Sequence, residues 1–149
     1  MVKLSEDVEL YYHFWFRLND LYATWAKNHG FTANTLYVLA VIDTAQEDCT
    51  LRSICDKLLL PKQTVHAILQ KLEEQGILER SAAAADKRIK ILRLTKKGRA
   101  YTQKHLNPLY QIEEEALLKM GAAQKAAFHE HTQLFLEKLE ESFTEEERK

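Results

Sequence analysis

The hydrophobic pattern of this chain changes period once, and that change limits what it can fold into. Before Gly76 the apolar residues return every three or four positions: Leu51, Ile54, Cys55 and Leu58, then Val65, Ile68, Leu69 and Leu72 beyond "LLLP". Such spacing lays one apolar stripe along a helix. From Ile77 it gives way to "ILER" and "RIKILRL", where apolar and charged residues alternate with the two-residue period of a half-covered strand. The spacing predicts a short helix, a turn at Pro61, a second helix over Lys62 to Gln75 and then a two-stranded hairpin. Ala82 to Ala85 lie between the strands and are read as the hairpin tip, although alanine alone favours helix.

The rest of the chain reads as helix. Ser5 to Asn28 form one long segment closed by Gly30, with Val8, Tyr11, Trp15, Leu18, Tyr22 and Trp25 in a seam. Leu10, Phe14, Leu21, Tyr12 and Phe16 widen the apolar arc beyond what one neighbouring helix covers, which favours a second subunit against it. Thr32 is the candidate cap of a second helix carrying Leu36, Leu39, Val41 and Ile42. Thr95 caps a long helix to about Met120, bent at Asn107 and Pro108. Gly121 separates it from a last helix with Phe128, Phe135, Leu139 and Phe143, and "TEEERK" reads as a frayed acidic tail.

Charge is distributed unevenly along the chain. The net charge is -1 over 149 residues, yet Leu51 to His105 hold 13 Lys/Arg against 5 Asp/Glu. A basic middle between acidic ends suits a lobe that faces a polyanion. Cys49 and Cys55 form no CxxC pair, so neither a disulfide framework nor a thiolate zinc site is expected. Cys55 falls on an inward stripe, whereas Cys49 sits in a loop and is expected to be the more exposed thiol. His129 and His131, two apart, point different ways on a helix, so no metal is expected. No nucleophile–base pattern, phosphate loop or carboxylate pair is present, so neither an enzyme nor a cofactor is expected. No apolar run reaches the roughly 20 residues of a membrane span, and "MVKLSEDVEL" carries no export signal; the expected location is cytoplasmic.

On the helix from Lys62, the face opposite Val65, Ile68 and Leu72 shows Gln63, Ala67 and Gln70, flanked by Thr64, His66 and Lys71. A helix fits the DNA major groove, where Gln pairs with adenine and basic groups with guanine. Lys62 and the helix N-terminus would lie near phosphate. Arg88 is the candidate for minor-groove insertion, with Lys87 and Lys90 on phosphates. Asp86, taken to lie on the same strand face, is expected to shape the wing by pairing with an arginine.

At these residues the chain resembles a known family. "LPKQTVHAILQKLEEQGILER" followed by "DKRIKILRLTKKG" is similar to the recognition helix and wing of MarR-family transcriptional regulators. The D-x-R element falls on Asp86 and Arg88, and L-T-x-x-G on Leu94, Thr95 and Gly98. Where that family places polar, proline or basic residues, this chain has Ala82 to Ala85. The resemblance implies a mainly α fold with a small β-hairpin wing. A winged helix-turn-helix DNA-binding domain over 32–106 would join an N- and C-terminal helical dimerisation region over 1–31 and 107–149. It further implies a homodimer on palindromic double-stranded DNA, acting as a repressor and released by a small effector. Tyr11, Trp15, Tyr22, Trp25 and Tyr37 are the candidate lining of a pocket for a flat, aromatic or weakly acidic compound. The rival is a winged-helix adaptor that docks protein without binding DNA.

Overall fold

The computed structural model describes residues 4–45 and 48–148; residues 1–3 of the N-terminal stretch read above, 46–47, and 149 of the acidic tail lie outside the described residues. The elements are α1 (Glu6–Asn28), α2 (Ala33–Asp43), α3 (Leu51–Leu58), α4 (Lys62–Glu74), β1 (Leu78–Ala82), β2 (Lys90–Leu94), α5 (Lys96–His105), α6 (Asn107–Lys119) and α7 (Ala122–Glu147). The chain divides into two units, Met1–Asn107 and Pro108–Lys149.

Short polar side chains start four of the five helices of the first unit. Ser5, Thr32, Thr50 and Thr95 each accept a hydrogen bond from a backbone N–H three residues on, satisfying donors that the helix itself leaves unpaired. Glycine in the left-handed region stops two of them. At Gly76 (φ +69°) the Ile77 N–H reaches back to the Leu72 carbonyl at 2.9 Å, which turns the chain directly from α4 into β1.

Helix α2 is apolar all round, and it packs against α1, α3, α4, α5 and β2. Leu36, Val38, Leu39, Val41 and Ile42 are all buried there, as a helix surrounded on every side requires. The hairpin pairs antiparallel, with Arg80 opposite Leu92 and Ala82 opposite Lys90. Its inner face, Leu78, Leu92 and Leu94, joins the same core.

Three expectations are corrected. The helix expected from Thr95 to Met120 is two helices, α5 and α6, parted at the buried Leu106; Pro108 lacks the N–H that would continue the ladder. The acidic tail is not frayed: α7 runs to Glu147, laced by local pairs such as Lys138–Glu141 at 2.8 Å. The cysteines exchange roles. Cys49 is 5% exposed, because its carbonyl accepts the Leu92 N–H at 2.8 Å and adds a rung beside β2, while Cys55 is half-buried. Burial pushes the Cys49 thiol up, against smaller opposing effects of Ser53 and Lys57, which disfavours the thiolate.

Within the second unit, Gly121 (φ +81°) links α6 to α7, and none of the 26 residues of α7 is buried. No helix among the described residues is long and apolar enough to cross a membrane.

Candidate nucleic-acid interface

The first unit presents a helix-turn-helix and a hairpin. Thr50 and Ser53 cap each other at the start of α3. The chain then turns through Leu59, in the left-handed region at φ 53°, and enters α4 at Pro61. No side chain caps α4, so its first-turn N–H groups remain available to an anion. Val65, Leu69 and Leu72 hold the helix to the core. Lys62, Gln63, His66, Ala67 and Gln70 are exposed on the outer side, with Thr64 half-buried. Gln70 donates to Glu74 at 3.2 Å, a local contact on the open face.

In the wing, Lys87, Arg88 and Lys90 are all exposed. Asp86 departs from expectation. It lies in a turn rather than on a strand, and its carboxylate accepts the Arg88 backbone N–H at 2.9 Å instead of meeting an arginine side chain. The short side chain closes an Asx-type turn and fixes the backbone that carries Arg88. The hairpin arginines that form ion pairs are Arg93, with Asp48 at 3.0 Å, and Arg80, with Glu73 of α4 at 2.7 Å. Neither Arg80 nor Glu73 stood out in the sequence; one cue was a carboxylate in a helix's last turn, where the dipole disfavours it.

Lys97 and Arg99 are committed to the fold. Lys97 donates to the Gln75 carbonyl at 2.6 Å and Arg99 to the Leu94 carbonyl at 2.8 Å, latching α5 onto the turn after α4 and the end of β2.

The five proposed pocket residues do not converge. Tyr22 and Tyr37 meet with ring centres 6.1 Å apart, and burial pushes the Tyr37 hydroxyl up. Tyr11 is half-buried, and Trp15 is 47% exposed on α1. Trp25 turns into a different group, stacking on His29 at 4.3 Å and donating to the His105 carbonyl at 3.2 Å. His29, Phe31, Tyr101 and His105 complete this ring cluster. The sequence cue lay in two aromatic pairs at i, i+4, Trp25 with His29 and Tyr101 with His105. A cleft of about 720 Å³ opens nearby, lined by Lys27, Phe31, Thr32, Thr35, Ala67, Ile68, Lys71 and Tyr101, with none of the five expected residues. It touches α4 directly, through Ala67, Ile68 and Lys71.

The MarR family model matches residues 29–89, from the end of α1 to the wing. Over that segment the chain is similar to the MarR family, and the elements form a winged helix-turn-helix. MarR-family proteins are DNA-binding transcription regulators and not enzymes. Solved structures agree over nearly the whole chain. The MarR family regulator NMB1585 from Neisseria meningitidis is similar at 21% identity, covering 95% of this chain and 99% of that one, with a TM-score of 0.79. FabT of Streptococcus pneumoniae, solved in complex with DNA, is 20% identical over 91% and 99%, with a TM-score of 0.70. BpsR of Bordetella bronchiseptica, described with regulation of its DNA binding by 6-hydroxynicotinic acid, is 21% identical over 91% and 96%, also at 0.70. Among curated sequences, none matches. The matched segment thus runs from the end of α1 to the hairpin loop just before β2.

Proposed function

We propose that this protein is a homodimeric, sequence-specific regulator that represses transcription from a palindromic operator and is released by a small effector. The observation that carries the reading is an uncapped recognition helix with an exposed amide and histidine face, on one unit with an exposed basic wing. Gln63, Thr64, His66 and Gln70 would read base edges in the major groove, with Lys62 on phosphate. Lys87 and Lys90 would hold phosphates, and Arg88 would enter the adjacent minor groove, where negative potential is strongest. Two-fold symmetry places the half-sites about one helical turn, ~34 Å, apart.

Dimerisation is supported by the apolar surface left uncovered in one chain. Phe16 of α1 is 64% exposed and Phe143 of α7 is 65% exposed, with Leu10, Leu134 and Leu136 also exposed. A second copy covering both helices would remove that surface from water. The 720 Å³ cleft is the site for the effector. Phe31 and Ile68 offer apolar walls, and Lys27 and Lys71 two cations, which suits a flat aromatic acid such as the compound named for BpsR.

Binding to duplexes selected from a random library, measured at two salt concentrations, tests the reading. A regulator loses affinity steeply as salt rises, and Arg88→Ala weakens binding by about 1–3 kcal/mol. A protein that holds no duplex even at low salt is instead an adaptor.

A further inference from the structure

We propose that Glu73 and Arg80 are positioning residues that hold the wing at a fixed angle to the recognition helix, so that Arg88 meets a minor groove while α4 fills the adjoining major groove. The inference rests on the DNA-binding reading above and names the device that lets its two contacts act together.

Arg80 and Glu73 form the least exposed of the described ion pairs, with side chains 25% and 31% exposed. The other pairs, such as Arg93–Asp48 and Lys119–Glu115, lie in open solvent, where such contacts hold little in place. The Arg80 Nε–Glu73 Oε1 distance is 2.7 Å, and Nε is shielded from solvent without an aligned hydrogen bond, so the attraction is ionic. Arg80 stands opposite Leu92 in the ladder, on the same strand face as the buried Leu78. The pair therefore spans the gap between the last turn of α4 and the inner side of the hairpin.

Position along the hairpin gives it leverage. Ser81 and Ala82, the next residues on β1, are exposed, and Ala83 to Ala85 bring no polar side chain to tie the tip down. The orientation of the tip is accordingly set from the base, and Arg80 is the outermost side chain of β1 that is paired with α4. Glu73 also sits where a helix dipole disfavours a carboxylate, so the residue loses rather than gains helix stability there. Neutralising it costs the helix nothing and releases the wing.

The test is a double-mutant cycle on the tightest duplex that the wild-type protein selects from a random library. Glu73→Gln is expected to lower affinity about fivefold, with thermal stability essentially unchanged. The salt slope stays as in wild type, since no phosphate contact is lost. In an Arg88→Ala background the same change is expected to cost nothing further, because there is no longer an arginine to place. Reversing the pair, Glu73→Arg with Arg80→Glu, restores affinity, and this variant carries the comparison if Glu73→Gln does not fold. Equal losses in both backgrounds, or no loss in either, overturn the positioning role. A wild-type protein that binds no duplex, or an Arg88→Ala variant that binds as well as wild type, overturns the DNA-binding reading itself and this inference with it.

Discussion

At Gly98 an added methyl group would collide with the carbonyl of Ile77, a backbone atom with no room to retreat, and crowd the Leu94 side chain. Gly98 closes the L-T-x-x-G stretch, and its role is close approach: α5 rests directly on the chain entering β1. Gly98→Ala is expected to cost at least the roughly 1–3 kcal/mol of overpacking, read as a lowered urea midpoint. Leu59 presents the opposite case. It holds φ 53° while 87% exposed, so its side chain repays little of the left-handed strain. Leu59→Gly is expected to stabilise by up to about 1 kcal/mol in the same measurement, and a loss would show that the leucine packs in solution. The glycine was legible as part of a motif; the left-handed leucine was not, since nothing local in "LLLP" distinguishes the middle leucine from the first.

Among the elements, α5 carries a titration that its sequence did not announce. His105 is held below its ordinary value by burial first, then by Lys104 and His29, and its Nδ1 has no partner. A base whose pKa falls on folding binds fewer protons folded than unfolded. Stability is therefore full above the ordinary histidine range and declines as pH drops below about 6.5. Thermal melts from pH 8 to 5 are expected to show this decline, and His105→Gln to flatten it; an unchanged slope would move the cause elsewhere. Periodicity recovered both strands and the helices other than the break between α5 and α6, because each depends on its own apolar spacing. It did not recover the contact between Cys49 and β2, since a one-residue bridge has no period, nor the convergence of Trp25 with Tyr101 and His105, which lie far apart in the chain.

For the whole molecule, the exposed apolar side chains of α1 and α7 bear on assembly. Trp15, half exposed in a single chain, contributes less to the monomer's core than a buried tryptophan would. Phe16→Glu is expected to leave helicity unchanged while sedimentation shifts from dimer to monomer. Operator affinity would fall by roughly 10²–10⁴, the loss when two linked half-site contacts become one. A Phe16→Glu protein that remains dimeric would place the interface elsewhere.

By itself the sequence determined which segments are helix and strand, where most of the helices start, and which middle stretch is basic. Those properties follow from spacing, caps and charge, each set by residues within a turn or two of one another. Only the tertiary structure decided that Asp86 serves a backbone turn, that Arg80 reaches α4, that Lys97 and Arg99 are spent on carbonyls, and that the cleft avoids the expected aromatics. Each of those depends on which surfaces meet after the chain has folded back. Local pattern fixes the direction a side chain leaves its helix or strand, and long-range packing alone fixes what it finds there.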